Sequence, residues 1–210
     1  MPAGGFKTFS AGAVLTASDV NAYLMQGVLV FSSEAARNAA VSSPQKGMTA
    51  LITTPTVQAA TGGTTFVPGA ALTVYDGSAW VCLSDVSAYT ANTGTTTSTA
   101  MTATLSGTPG TNPSATCATG TRALVTVSAT CALSAATNAF VGVAVSGATT
   151  LAASTANATT STSTTNMTST LTMVISGLTA GTNTFTLNYS ANPSQTFSVF
   201  DRRITVRGLL

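Results

Sequence analysis

The stretch Ala123-Leu124-Val125-Thr126-Val127-Ser128-Ala129-Thr130-Cys131-Ala132-Leu133 alternates apolar and hydroxyl residues from Val125 to Cys131. Successive side chains on a strand point to opposite faces. Val125, Val127, Ala129, Cys131 and Leu133 therefore share one face, and Thr126, Ser128 and Thr130 share the other. The pattern recurs at Met167, Leu171, Met173 and Ile175 against Thr168, Thr170 and Thr172, and again at Phe185, Leu187 and Tyr189 against Thr182, Thr184, Thr186 and Asn188. Each of these strands predicts an apolar core face backed by a face of hydroxyls. Residues 140–146 differ: Val141, Val143 and Val145 form one face, while Phe140, Gly142, Ala144 and Ser146 form a small, largely apolar second face. That face suits close packing against another surface, which makes Gly142, Ala144 and Ser146 the candidate subunit contact. Further on, Phe197 and Val199 have one parity and Ile204 and Val206 the other, so the register must shift near Phe200-Asp201 through a bulge or tight turn.

Working outward, Ser176-Gly177 and Ala180-Gly181 are turn pairs, and no helical period appears after Asp85. Alternating strands joined by short turns give an antiparallel β-sandwich, jelly-roll-like in organisation. The first part of the chain is mixed. Thr16 with Asp19 reads as a capping box ahead of Val20, Tyr23 and Leu24 at helical spacing. Residues 28–31 read as a buried strand, Ser33 as the N-cap of an Ala-rich helix, and 48–53 and Phe66-Val67 as further strands. Asp76-Gly77 between 72–75 and 78–83 reads as a type I′ hairpin turn, with Trp80 as the largest core residue. The expected architecture is mainly β: a small α+β N-terminal domain over 1–85, a Thr/Ser-rich linker or first strand over 86–110, and the sandwich over 111–210.

Composition narrows the chemistry. The chain of 210 residues has seven basic and five acidic side chains, no His, and charged residues at 6%, against roughly 25% in ordinary soluble domains. Thr, Ala and Ser together make nearly half of it, and no charge lies between Arg122 and Asp201. Without His, the commonest general base and metal ligand is missing. Asp19 and Glu34 read as helix-start acids, Asp76 as a turn residue and Asp85 as a linker edge, leaving Asp201 beside Arg202 and Arg203, where an ion pair is expected. No carboxylate pair, nucleophile motif or phosphate-binding loop emerges. The expectation is a protein that is not an enzyme and takes no cofactor.

Cys82, Cys117 and Cys131 are odd in number and lack CxxC spacing, so buried thiols are expected rather than a zinc site, with a Cys117–Cys131 bridge as the alternative. Arg202, Arg203 and Arg207 are too few, and too poor in aromatic neighbours, for a nucleic-acid footprint; Arg203 and Arg207 share one strand face with Thr205 and read as a solvated edge or an intersubunit contact. Apolar runs are too short for a membrane helix, and the segment from Met1 to Lys7 has no signal-peptide pattern, which leads to an expectation of synthesis and assembly in the cytoplasm.

The string 9–25 (FSAGAVLTASDVNAYLM), followed by Val30-Phe31, Ala36-Arg37, Pro44, Gly47-Met48 and Tyr75-Asp76-Gly77-Ser78-Ala79-Trp80, resembles the N-terminal module of virion proteins of tailed bacteriophages, particularly those of actinobacteria. The stretch 179–189 (TAGTNTFTLNY) and the ending Arg203-Ile204-Thr205-Val206 are similar to the C-terminal β-sandwich heads of phage fibres. The resemblance implies a minor tail or fibre-type structural protein on the virion surface. It implies a homotrimer, attached to other virion proteins through the N-terminal domain. Capsid decoration, a head fibre, and a fibre tip that binds a host receptor or surface glycan are the alternatives, and neither nucleic acid nor membrane is an expected partner.

Overall fold

The computed structural model describes residues 11–14, 16–17 and 27–210. Asp19, Val20, Tyr23 and Leu24 of the expected first helix lie outside them. The early elements are β1 Leu29–Phe31, α1 Glu34–Ala40, β2 Thr49–Ile52, β3 Ala59–Thr61, β4 Thr64–Phe66, β5 Ala71–Tyr75 and β6 Trp80–Cys82. Next come β7 Val86–Thr90, β8 Gly94–Thr96, β9 Ser106–Gly107, β10 Ser114–Thr119, β11 Arg122–Leu133 and β12 Ala139–Gly147. A 3₁₀ turn at Thr155–Asn157 leads into β13 Ala158–Ser161, β14 Met167–Ser176, β15 Gly181–Ala191 and β16 Phe197–Leu209.

A four-stranded sheet in the order β1-β2-β5-β6 carries α1 on one face. The helix starts where Ser33, held extended, accepts the Ala36 N–H on its hydroxyl at 3.2 Å. Glu34 is more than a helix-start acid: it is buried, and it accepts hydrogen bonds from the Thr56 hydroxyl and from the backbone N–H groups of Thr56 and Val57. Arg37 donates to Thr73 Oγ1 at 3.3 Å, and its guanidinium lies 4.4 Å from the centre of the Trp80 ring. Trp80 is accordingly half-buried under an arginine and beside Tyr75, rather than the centre of an apolar core. Residues 28–31 also depart from expectation: β1 is an edge strand, parallel to β2, with Val28 and Val30 exposed. The β5–β6 hairpin pairs Tyr75 with Trp80 across a four-residue loop instead of a two-residue turn. The reason is Asp76, whose Oδ1 accepts from the Ser78 and Ala79 N–H groups at 2.8 Å and holds the wider loop closed.

Two antiparallel sheets make the sandwich. One runs β13-β12-β15-β10-β3 and the other β14-β11-β16-β7-β4, with β8 also pairing β16. The expected antiparallel sandwich and its face assignments are present. Along β11 every second residue from Ala123 to Leu133 is buried, and Val141, Val143, Val145, Phe185, Leu187 and Tyr189 face it from the other sheet in one continuous core. Each large side chain so buried stabilises the fold by about 1.5–3 kcal/mol. Along β14 the parity is as expected, but only Ile175 is fully buried, because β14 is an edge strand. The three cysteines are free thiols, all buried.

The Thr/Ser-rich stretch 86–110 contributes β7, β8 and β9. Strands from both sides of residue 85 enter the sandwich: β3 pairs with β10 in one sheet and β4 with β7 in the other. The chain changes sheets at Gly62-Gly63, where a Cβ on Gly62 would stand 3.0 Å from the Tyr89 carbonyl oxygen. At the opposite edge β13 and β14 also follow each other in sequence and belong to different sheets.

The register shift expected near Phe200-Asp201 is present. β16 pairs with β11 across a discontinuity that opposes Ser128 to Arg203 and Thr130 to Phe200, and Asp201 has φ 48°. The far end of β16 meets the four-stranded sheet through Gly208, where an added Cβ would lie 2.6 Å from Val81 Cγ1 and under 3 Å from the carbonyl oxygens of Cys82 and Ala118. Gly208→Ala is therefore expected to destabilise the protein by about 1–3 kcal/mol through overpacking, read as a lowered midpoint in urea denaturation.

Candidate functional site

Three features of the sandwich bear on function: its hydroxyl-bearing outer face, the small face of β12, and a buried arginine that lines a cleft. The first follows from β11 alternation. Thr126 hydrogen-bonds Thr172 at 2.9 Å, Thr170 donates to Ser128 at 3.0 Å, and Thr130 bonds Thr168 at 2.9 Å, all between exposed side chains. Each cross-strand pair contributes roughly 0.2–1 kcal/mol, and the pairs repeat about 7 Å apart because strands rise about 3.4 Å per residue. On the next strand the register sets Thr205 beside Thr126 and Arg203 beside Ser128. On the other sheet Thr116 and Thr184 make the same bond at 2.8 Å.

The three residues singled out on β12 share one outer face but not one environment. Ser146 is exposed and Ala144 half-buried, whereas Gly142 is covered by this chain itself: an added Cβ would sit 3.1 Å from Met101 Cε and 3.2 Å from the Ala158 Cβ. Ala144 and Ser146 are thus the part of this face open to another molecule.

The third feature departs from expectation. Asp201 does not pair with a neighbouring arginine; its Oδ1 accepts the Tyr89 hydroxyl at 2.6 Å, and Arg203 stacks over the Tyr89 ring at 5.2 Å. The described ion pair in this region is instead Arg207 with Asp85, at 3.8 Å and half exposed, a contact worth about 0–1 kcal/mol. Arg202, expected beside Asp201 in an ion pair, is instead fully buried. The bulge is the reason: once the register shifts, Arg202 has the parity of Ile204 and Val206 and must face the core. Its Nη1 donates to the Tyr189 hydroxyl at 3.3 Å, and the Tyr189 hydroxyl donates to Asn112 Oδ1 at 2.7 Å. Its Nη2 donates to the carbonyl oxygens of Asn92 and Pro109. Parity counted past the bulge was the available signal in the sequence.

A cleft of about 250 Å³ adjoins this cluster, lined by Ala103, Thr104, Leu105, Pro109, Gly110, Asn112 and Arg202. Among the described residues no group of three His, Cys, Asp or Glu side chains could hold a metal ion, and no helix is long and apolar enough to cross a membrane.

Burial raises the Tyr189 hydroxyl to about 12, against a smaller opposing effect of Arg202, and burial alone raises the Cys131 thiol to about 12. Cys117 reaches about 12 as well, mainly through burial. The folded chain holds these protons after the unfolded chain, with ordinary values near 8.5 for Cys and 10 for Tyr, has released them. Their contribution is complete below about pH 8.5 and is lost as pH rises towards 12. Urea midpoints should fall steadily over that window, and Cys117→Ser with Cys131→Ala should flatten its lower part. Set beside known proteins, the chain matches no protein-family model and no curated relative.

Proposed function

We propose that this chain is a structural component of a tailed-phage virion, a minor tail or fibre-type protein that forms a homotrimeric surface projection and has no catalytic role. The observation that carries the reading is the N-terminal string from Phe9 through Trp80 that resembles virion attachment modules. Two physical features support it. The antiparallel sandwich suits a fibre head, and its outer faces carry hydroxyls in place of charge over the whole interval from Arg122 to Asp201. A surface without charge is poorly protected from association, which favours a protein that works assembled. In this reading residues 1–85 attach to other virion proteins, and Ala144 and Ser146 of β12 belong to the contact between copies.

Light scattering coupled to size exclusion at micromolar concentration should return three times the chain mass of 20.8 kDa. A stable monomer overturns the trimer. Immunogold labelling of intact virions should decorate the tail. Label on the head would assign the chain to capsid decoration or a head fibre, and unlabelled virions would overturn the virion reading.

A further inference from the structure

Arg202 poses an electrostatic problem that the fold leaves open. Its relative exposure is 0%, yet among the described residues no carboxylate pairs with it. The four groups that accept its N–H bonds, Asn112 Oδ1, the Tyr189 hydroxyl and the carbonyl oxygens of Asn92 and Pro109, are all neutral. Asp201, next to it in the chain, turns the other way across the bulge to Tyr89 on the outer face. The Nε–H has no acceptor at all. A buried charge without a counter-ion, and a buried donor without an acceptor, each cost free energy that a native fold usually recovers. Here both belong to one side chain that lines a cleft whose other lining residues include the exposed Ala103, Thr104 and Gly110.

We propose that this cleft binds a small ligand through a carboxylate group, which supplies the missing counter-charge and, once the buried Arg202 side chain turns towards it, the acceptor for Nε–H. One fixed positive charge balances a monoanion, and the planar guanidinium matches the planar carboxylate. The volume of about 250 Å³ limits the ligand to a small molecule or the end of a larger one. Asn112 is already committed, since its Nδ2 donates to the Leu187 carbonyl and its Oδ1 accepts from Tyr189, so it positions Arg202 rather than competing with it.

The test is a ¹H–¹⁵N correlation spectrum of the full chain, recorded over both backbone amides and arginine Nε–H groups and titrated with glucuronate, acetate or glucose at roughly millimolar concentrations. Glucuronate and acetate should produce saturable shifts at the Arg202 Nε–H and at the Gly110 amide, and glucose should not. Ala103→Trp, which adds a large ring at an exposed lining residue and leaves Arg202 itself unchanged, should weaken binding by about tenfold or more. Arg202→Lys removes the Nε–H and should abolish the response if it folds; Ala103→Trp decides the matter if it does not. The proposal is overturned if neither carboxylate shifts these resonances, if glucose shifts them equally, or if Ala103→Trp leaves the response intact.

Discussion

The sandwich depends on β16 burying two apolar pairs of opposite parity. Phe197 and Val199 face the core before the discontinuity, and Ile204 and Val206 face it afterwards. A regular strand cannot bury both pairs, because alternation would turn one of them to solvent. The bulge at Asp201 resolves the conflict, and the rest of the arrangement follows from it. β16 pairs along one side with β11, and along the other with β8 before the bulge and β7 after it. The same bulge sends Asp201 outward to Tyr89 and Arg202 inward to Tyr189 and Asn112.

Much of this was legible in the sequence wherever a strand is long and one of its faces is buried. β11, β12 and β15 could be assigned residue by residue, because ten or so alternating positions leave a single register that hides every apolar side chain. Even the bulge followed from parity. What was not legible depends on partners far along the chain. β3 and β4 are three residues each and rich in Ala and Thr, too short to carry a pattern; their places come from pairing with β10 and β7. Trp80 looked like a core residue because nothing local announces that Arg37 will cover it. The ion pair expected of Asp201 with Arg202 or Arg203 rested on adjacency in sequence, whereas parity past the bulge turns Arg202 to the core and away from Asp201.

The hydroxyl faces show how a surface with few charges is kept orderly. Threonine is β-branched and favours the strand, and its hydroxyl can be satisfied by the matching residue across the ladder. The Thr126–Thr172, Ser128–Thr170 and Thr130–Thr168 pairs use this capacity three times in succession. The outer face of β11 and β14 is thereby made of short, mutually bonded side chains in place of long charged ones. Such a face keeps its hydroxyls ordered before any partner arrives, so less conformational entropy remains to be lost on contact.

The two places where consecutive strands change sheets have a mechanical meaning. β3 and β4 join the sheets along one edge through Gly62-Gly63, and β13 and β14 join them along the other, where Thr159 and Ser169 also bond each other. A force that slides one sheet over its partner is therefore taken up by covalent chain at both margins, as in a seam stitched on two sides. Separating the layers requires ladder bonds to be unzipped first from β10 and β7, or from β12 and β11. Resistance to shear is thus set by the topology and does not rely on ion pairs, so it should vary little with ionic strength.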